Sequence, residues 1–408
     1  LTNKRKILND PVYGFVTIPS ELIFEIIQHP FFQRLRRIKQ LGLAELVYPG
    51  AVHSRFQHAL GAMHLMGQTL SMLQAKGHLI MDIEKEAAQI AILLHDLGHG
   101  PFSHVLEYSI LENVNHEEIS LMLMEKMNKD FNGALTLSIE MFKNTYPRSF
   151  FHQLISSQLD MDRMDYLHRD SFFTGVAEGQ IGVERIIKML NVVDNELVVE
   201  EKGLLSVENF LVARRLMYWQ VYLHKTSICA ETMLLKTIER ARDLISIGIK
   251  LNVMGSLNVF LNNQFTKESF SLNEDLLNAF VNLDDVDIWS ALKSWVNHDD
   301  SILSYLSKSL LERNLFKIKM GVNLRDDFDY DTSFLAQGNI PQNDKKYFFK
   351  KGTISNSAYI PKNSNINILM KNGNILDVSE ASDLPTVKAL SNIVKKDYIC
   401  YAKVLSLL

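Results

Sequence analysis

The 408-residue chain is poor in cysteine, with Cys229 and Cys400 alone and no CxxC spacing. That scarcity argues against a disulfide framework and a thiolate zinc site, and it points to a reduced, cytoplasmic setting. Long apolar runs are missing too. No stretch approaches the roughly eighteen uninterrupted apolar residues of a membrane span. The opening LTNKRKILND lacks the apolar core of a leader peptide, so a soluble protein with no membrane partner is expected. Charge of one sign does not dominate: 43 basic and 47 acidic side chains leave a net charge of -4. No global field then steers the chain toward nucleic acid, which is not expected as its main partner. Internal repeats and low-complexity segments are absent. What is plentiful is apolar residues, 47% of the chain, enough for one large domain or two modest ones.

Apolar residues at three- and four-residue spacing predict helices over 20–28, 30–41, 56–76, 83–97, 103–112, 116–128, 149–168, 182–191 and 208–248. Asp82 is expected as an N-cap with Glu84 and Glu86 in the first turn and Gly98 as a stop, which places His95 and Asp96 in that helix's last turn. Residues 196–207 alternate around Lys202-Gly203 and predict a short hairpin. Beyond about Lys250 the composition drifts toward Asn, Asp and Ser. Helices are expected near 273–282, 285–296 and 300–314, followed by strands in KYFFKK, NINILMK and NILDV, the last two joined by Asn372-Gly373. Segment 326–346 reads as a loop. The fold class expected is mainly α: a helical body over 1–250 and a smaller α+β part over 251–408.

Eight of the thirteen histidines lie between His53 and His116. A lone His-Asp dipeptide is most often a satisfied polar pair, and His64 and His78 sit on ordinary helical faces. The combination of His58, His95-Asp96 and Asp162, with Gly98-His99-Gly100-Pro101 and His104 following, reads instead as a buried metal site for phosphate-ester hydrolysis. Mixed imidazole and carboxylate donors suit Mg, Mn, Fe, Ni or Zn with open coordination positions. Such chemistry also needs an acid to protonate the leaving oxygen, for which His104 and His116 are candidates.

These residues carry a resemblance. RLRRIKQLG (34–42), YPGAVHSRFQHALG (48–61), LLHDLGHGPFSH (93–104), DMDRMDYLHRD (160–170) and RNLFK (313–317) are similar, in order, to motifs of the HD superfamily of metal-dependent phosphohydrolases. More specifically they resemble the dNTP triphosphohydrolases, both dGTPase-like enzymes and those that pair a SAM with an HD domain, although no SAM domain is expected here. The resemblance implies an HD-domain helical bundle. It implies hydrolysis of a deoxynucleoside triphosphate to deoxynucleoside and triphosphate, with a divalent ion on His58, His95, Asp96 and Asp162. Glu107, where relatives often carry Asp, and His116 match an acid-base or orienting pair beside the scissile bond. Arg55, His99, Arg163 and Arg214 match the path of the triphosphate. Gln40, Tyr166 and Asp170 match positions that hold the 3′-hydroxyl, and Tyr222 an aromatic that crowds the 2′ carbon and favours deoxyribose.

The basic run FFQRLRRIKQLG reads by composition as a solvated helical face. By resemblance it contributes, through Gln33 and Arg36 together with Arg313, to a regulatory nucleotide site at a subunit interface, and a homodimer or homotetramer is the implied assembly. Gln28 stands where GTP-activated relatives carry an acid that reads guanine, so another nucleotide activator, or none, stays open. Two other functions also stay open: another HD phosphohydrolase acting on a nucleoside monophosphate, cyclic dinucleotide or other phosphoester, and a nucleotide- or nucleic-acid-binding protein.

Overall fold

Three helices whose buried faces are set by their apolar spacing form the centre of the molecule: Arg55–Ala75, Asp82–Leu94 and Met161–Thr174. The computed structural model describes residues 6–102, 114–321, 342–360 and 365–402. The first helix buries Ala59, Ala62, Met63, Met66 and Leu70, and the second Ala88 and the run Ile90 to Leu94. A side chain at Gly61 would bring its Cβ within 1.9 Å of Asp165 Oδ1, so this glycine lets the first helix close on the third. Around them pack His116–Asp130, Leu204–Met217 and Lys225–Ser246, then the smaller helices Glu274–Val281, Asp285–Trp295 and Ser301–Leu311. The fold is mainly α with small sheets. Among the described residues no helix is long and apolar enough to cross a membrane.

Several expected elements are divided by side-chain caps. The helix expected over 149–168 is two, Phe150–Ile155 and Met161–Thr174. Asp160 accepts from the backbone N–H of Ser157 and Arg163, both at 2.7 Å, and so starts a new helix where a continuous one was expected. The helix expected over 208–248 is interrupted by a wider π turn at Tyr218–Tyr222 and restarts under a His224 cap that accepts from Thr226 N–H. Helix 30–41 shortens to Pro30–Gln33 and a 3-10 turn Arg34–Arg37, and helix 182–191 ends at Met189 as Leu190 enters a strand. His95 is the C-cap of Asp82–Leu94 rather than part of its last turn. The expected helix 103–112 and most of the loop 326–346 lie outside the described residues.

The hairpin is real but turns elsewhere. Leu190–Val193 pairs with Glu196–Glu200 through Asp194-Asn195, both at positive φ, a conformation that Asp and Asn tolerate. Lys202-Gly203 belongs to a following 3-10 turn. Val198–Glu200 then pairs in parallel with Asn367–Leu369, whose antiparallel partner Ile375–Asp377 follows the Asn372-Gly373 turn. A second sheet sets Val394–Tyr401 between Lys317–Gly321 and Phe349–Asn356, all antiparallel. An unforeseen hairpin, Ile7–Asp10 with Gly14–Thr17, precedes the helices. Cys229 and Cys400, far apart in sequence, are both buried with their sulfurs 3.6 Å apart.

Candidate metal centre and substrate cavity

Two imidazoles and one carboxylate converge where the three central helices meet. His58 Nδ1 donates to Asp165 Oδ2 at 2.7 Å, and His95 Nδ1 donates to the carbonyl of Ile92 at 2.6 Å. Each bond fixes the orientation of its ring and directs Nε2 into the centre. Those Nε2 atoms lie 3.1 and 3.3 Å from Asp162 Oδ1, and both are buried without an aligned hydrogen-bond partner among the described residues. Donor atoms of His58, His95 and Asp162 fall within 4.8 Å of one another. Buried, orphaned imidazole nitrogens facing a carboxylate fit a divalent ion.

Asp96 stands at the edge of this triad. One of its oxygens binds Arg55 Nη1, and the other lies 3.2 Å from both His95 Nε2 and His99 Nε2. Burial would raise its pKa, but His95, Arg55 and His99 outweigh that and hold the carboxyl well below the usual range. Burial would likewise lower His58, yet Asp162 and Asp165 push it up to about 10. His99 moves the other way: burial and the neighbouring Arg55 charge keep its ring neutral. Asp162 and Asp165 therefore favour positive charge at His58, where a divalent cation would take the place of the proton.

The loop that follows His95 is held from outside. Arg34, which composition placed on a solvated face, is buried and donates to the carbonyls of Leu283, Leu97 and His99. Asp285 accepts from Lys39 and Phe102 N–H, both at 2.9 Å, and Phe102 adopts a φ of 51° in this turn. Gly98 packs against the start of helix His116–Asp130 so closely that a Cβ would lie 2.1 Å from the His116 carbonyl oxygen.

Beside the centre opens a cavity of about 460 Å3. Of the expected substrate residues Gln40, Arg55, His99, Arg163, Tyr166, Asp170 and Tyr222 line it, together with Asp96, Asp162 and His116. Arg214 is buried behind this wall within electrostatic reach of Tyr166. His116 stacks on His99 with ring centroids 3.9 Å apart. Asp170 accepts from Tyr222 Oη at 2.7 Å and faces His53 Nε2 at 2.7 Å. His104 and Glu107 lie outside the described residues. Of the expected regulatory set, Arg36 donates to Gln33 Oε1 and lies over the Phe56 ring, whereas Arg313 donates to the carbonyl of Leu46.

Sequence reasoning missed His53, Asp165, Asp285, Ser227 and Glu231. Asp165 had a usable signal, since its spacing to Asp162 and Arg169 in DMDRMDYLHRD puts all three along one helical face. The others meet partners more than a hundred residues away or line a wall that no local spacing marks.

Residues 55–170 match the HD domain family and residues 181–251 the HD associated region. The chain is 32% identical to the uncharacterized protein YwfO of Bacillus subtilis, over 98% of this chain and 92% of that protein. It is 30% identical to the human deoxynucleoside triphosphate triphosphohydrolase SAMHD1, over 59% of this chain and 45% of that enzyme. A crystal structure of a phosphohydrolase from Bacteroides thetaiotaomicron superposes with a TM-score of 0.94 at 53% identity, covering 98% of this chain and all of that one. The segment matched to the HD domain is the one that carries His58, His95, Asp96 and Asp162, and the chain belongs to the HD superfamily of phosphohydrolases.

Proposed function

We propose that this chain hydrolyses deoxynucleoside triphosphates to deoxynucleoside and triphosphate. The observation that carries the proposal is a single cavity that meets the metal centre at Asp162 and Asp96 and is lined by guanidinium groups and an aromatic, hydroxyl-bearing wall. His58, His95 and Asp162, with Asp96 beside them, would hold a divalent ion, which when bound would supply Lewis acidity and lower the pKa of a water. Arg55 and Arg163 on the cavity wall neutralise phosphate oxygens with forked donors, Arg214 adds positive charge from beside Tyr166, and neutral His99 adds a directed hydrogen bond. His116, fixed by stacking on His99, serves as proton donor to the departing 5′ oxygen, with His104 and Glu107 completing the acid-base set. Gln40, Tyr166 and Asp170 hold the 3′-hydroxyl, while the Tyr222 ring closes the space at the 2′ carbon.

Similarity to an enzyme named for this reaction supports the substrate class. A homodimer or homotetramer regulated by a nucleotide at Gln33, Arg36 and Arg313 belongs to the same proposal.

The test is anion-exchange separation of products from each of the four dNTPs and from GTP, alone and mixed, under Mg, Mn and Fe, with an Asp96→Ala control. Deoxynucleoside plus tripolyphosphate that vanishes in the control is the expected result. Orthophosphate from a nucleoside monophosphate instead would identify a different phosphoester as substrate.

A further inference from the structure

The acids of the cavity wall are nearly all engaged: Asp96 by Arg55, Asp162 by the two imidazoles, and Asp170 by His53 and Tyr222. Glu231 differs. It lines the cavity, is only half-buried, and makes no hydrogen bond or ion pair among the described residues. One helical turn before it, Ser227 lines the same cavity, is 2% exposed, and has a buried Oγ without a hydrogen-bond partner among the described residues. Both project from helix Lys225–Ser246 at i and i+4, so they share a face. Leu41, Tyr218 and Leu223 add apolar and aromatic wall beside them.

A buried hydroxyl and an unengaged carboxylate are costly to leave unmatched, and a ligand that donates hydrogen bonds recovers that cost. The phosphate and sugar groups of the proposed substrate are matched by other residues, which leaves its base for this pair. Resting on the dNTP reading above, we infer that Ser227 and Glu231 form the base-reading end of the cavity and select bases that present hydrogen-bond donors, guanine foremost and thymine last. Guanine offers N1–H and the 2-amino group side by side, which a carboxylate accepts together. Adenine and cytosine offer one amino group. Thymine has a single N–H between two carbonyls, whose oxygens repel the acid. Burial pushes the Glu231 carboxyl up to about 7, with Lys350 opposing the shift, and a base that donates hydrogen bonds favours the ionised form that accepts them.

The experiment compares kcat/KM for dGTP and dTTP in the wild type, Glu231→Gln and Ser227→Ala, with calorimetric binding of deoxyguanosine and thymidine to the same metal-loaded proteins. The wild type is expected to favour guanine by roughly tenfold to a hundredfold, the scale of one bidentate base contact. Glu231→Gln, which keeps size but turns a donor toward guanine, removes most of that ratio, and Ser227→Ala removes a smaller part. Hydrolysis of both nucleotides with ratios unchanged in both variants would overturn the inference and leave the dNTPase proposal standing. Guanine-selective nucleoside binding that Glu231→Gln abolishes, without hydrolysis of any dNTP, would keep the inference and remove that proposal. Binding of neither nucleoside, with no hydrolysis, would remove both.

Discussion

His58 is oriented by Asp165, whose carboxylate also accepts from Nε and Nη2 of Arg169 at 2.9 and 3.1 Å. Arg169 in turn donates to Asp10 Oδ2 at 2.8 Å, so a buried chain of charges runs from the first hairpin to the proposed ligand. Removing such an outer partner typically lowers metal affinity tenfold to a hundredfold. Asp165→Asn is therefore expected to weaken binding of a divalent ion by about that factor in a competition titration. Asp165→Ala should in addition cost about 3 kcal/mol in denaturant unfolding, because it leaves the buried Arg169 with Asp10 as its remaining carboxylate partner and removes the acceptor of His58. Unchanged affinity in Asp165→Asn would show that the His58 tautomer is set by another group.

Gly98 makes a different kind of contact. A methyl group there would sit 2.1 Å from the His116 carbonyl oxygen and 2.4 Å from Ser120 N, backbone atoms of the helix that presents His116. Rigid backbone cannot yield as a side-chain tip does, so Gly98→Ala is expected to cost about 1–3 kcal/mol. It should also move His116 away from His99. Urea unfolding checks the first effect and a kcat loss larger than the KM change checks the second. Stability within a few tenths of a kcal/mol of wild type would disprove the close approach.

The parts of the site that were legible in the sequence were those encoded at short spacing. His95-Asp96, His58 near the start of the helix expected from residue 56, and Asp162 within DMDRMDYLHRD could be named because each belongs to a local pattern. Breaks within helices escaped for a physical reason: Asp160 and His224 cap through side-chain geometry that competes with helical propensity only once the chain turns there. The placement of Arg34 failed because its acceptors are carbonyls at Leu97, His99 and Leu283. A charged residue reads as exposed until such distant partners are known. The Cys229 and Cys400 contact and the parallel pairing of Val198–Glu200 with Asn367–Leu369 are likewise products of tertiary closure.

Asp285 gives the molecule a pH dependence with a definite sign. Burial pushes its carboxyl up to about 6, against the opposing pull of the N–H groups of Lys39 and Phe102. A carboxyl whose folded pKa lies above its unfolded value contributes stability that is fully present below about pH 4 and is lost as pH rises through 6. Asp285→Asn removes this titration while imposing a pH-independent loss of one acceptor. Across pH 4 to 7, wild-type stability should therefore fall relative to the variant by about 3 kcal/mol and then level off. Parallel unfolding curves for the two proteins at every pH would show that Asp285 keeps its ordinary ionisation.

Tyr222 is held on three sides, which bears on how sugar discrimination would arise. Its hydroxyl donates to Asp170 at 2.7 Å, and its ring meets those of Tyr166 and Tyr218 edge-on at 5.9 and 5.1 Å. A ring so braced cannot swing away from an added 2′-hydroxyl. Exclusion of a hydroxyl by packing alone reaches about a hundredfold in other enzymes. A dNTP over NTP preference of that order is expected, and Tyr222→Ala should erase most of it. Tyr222→Phe keeps the ring but takes the donor from Asp170, so the preference should persist while KM rises. If Tyr222→Ala kept the full preference, the ring would not be the element that senses the 2′ carbon, and discrimination would have to come from Gln40 or Tyr166 on the same wall.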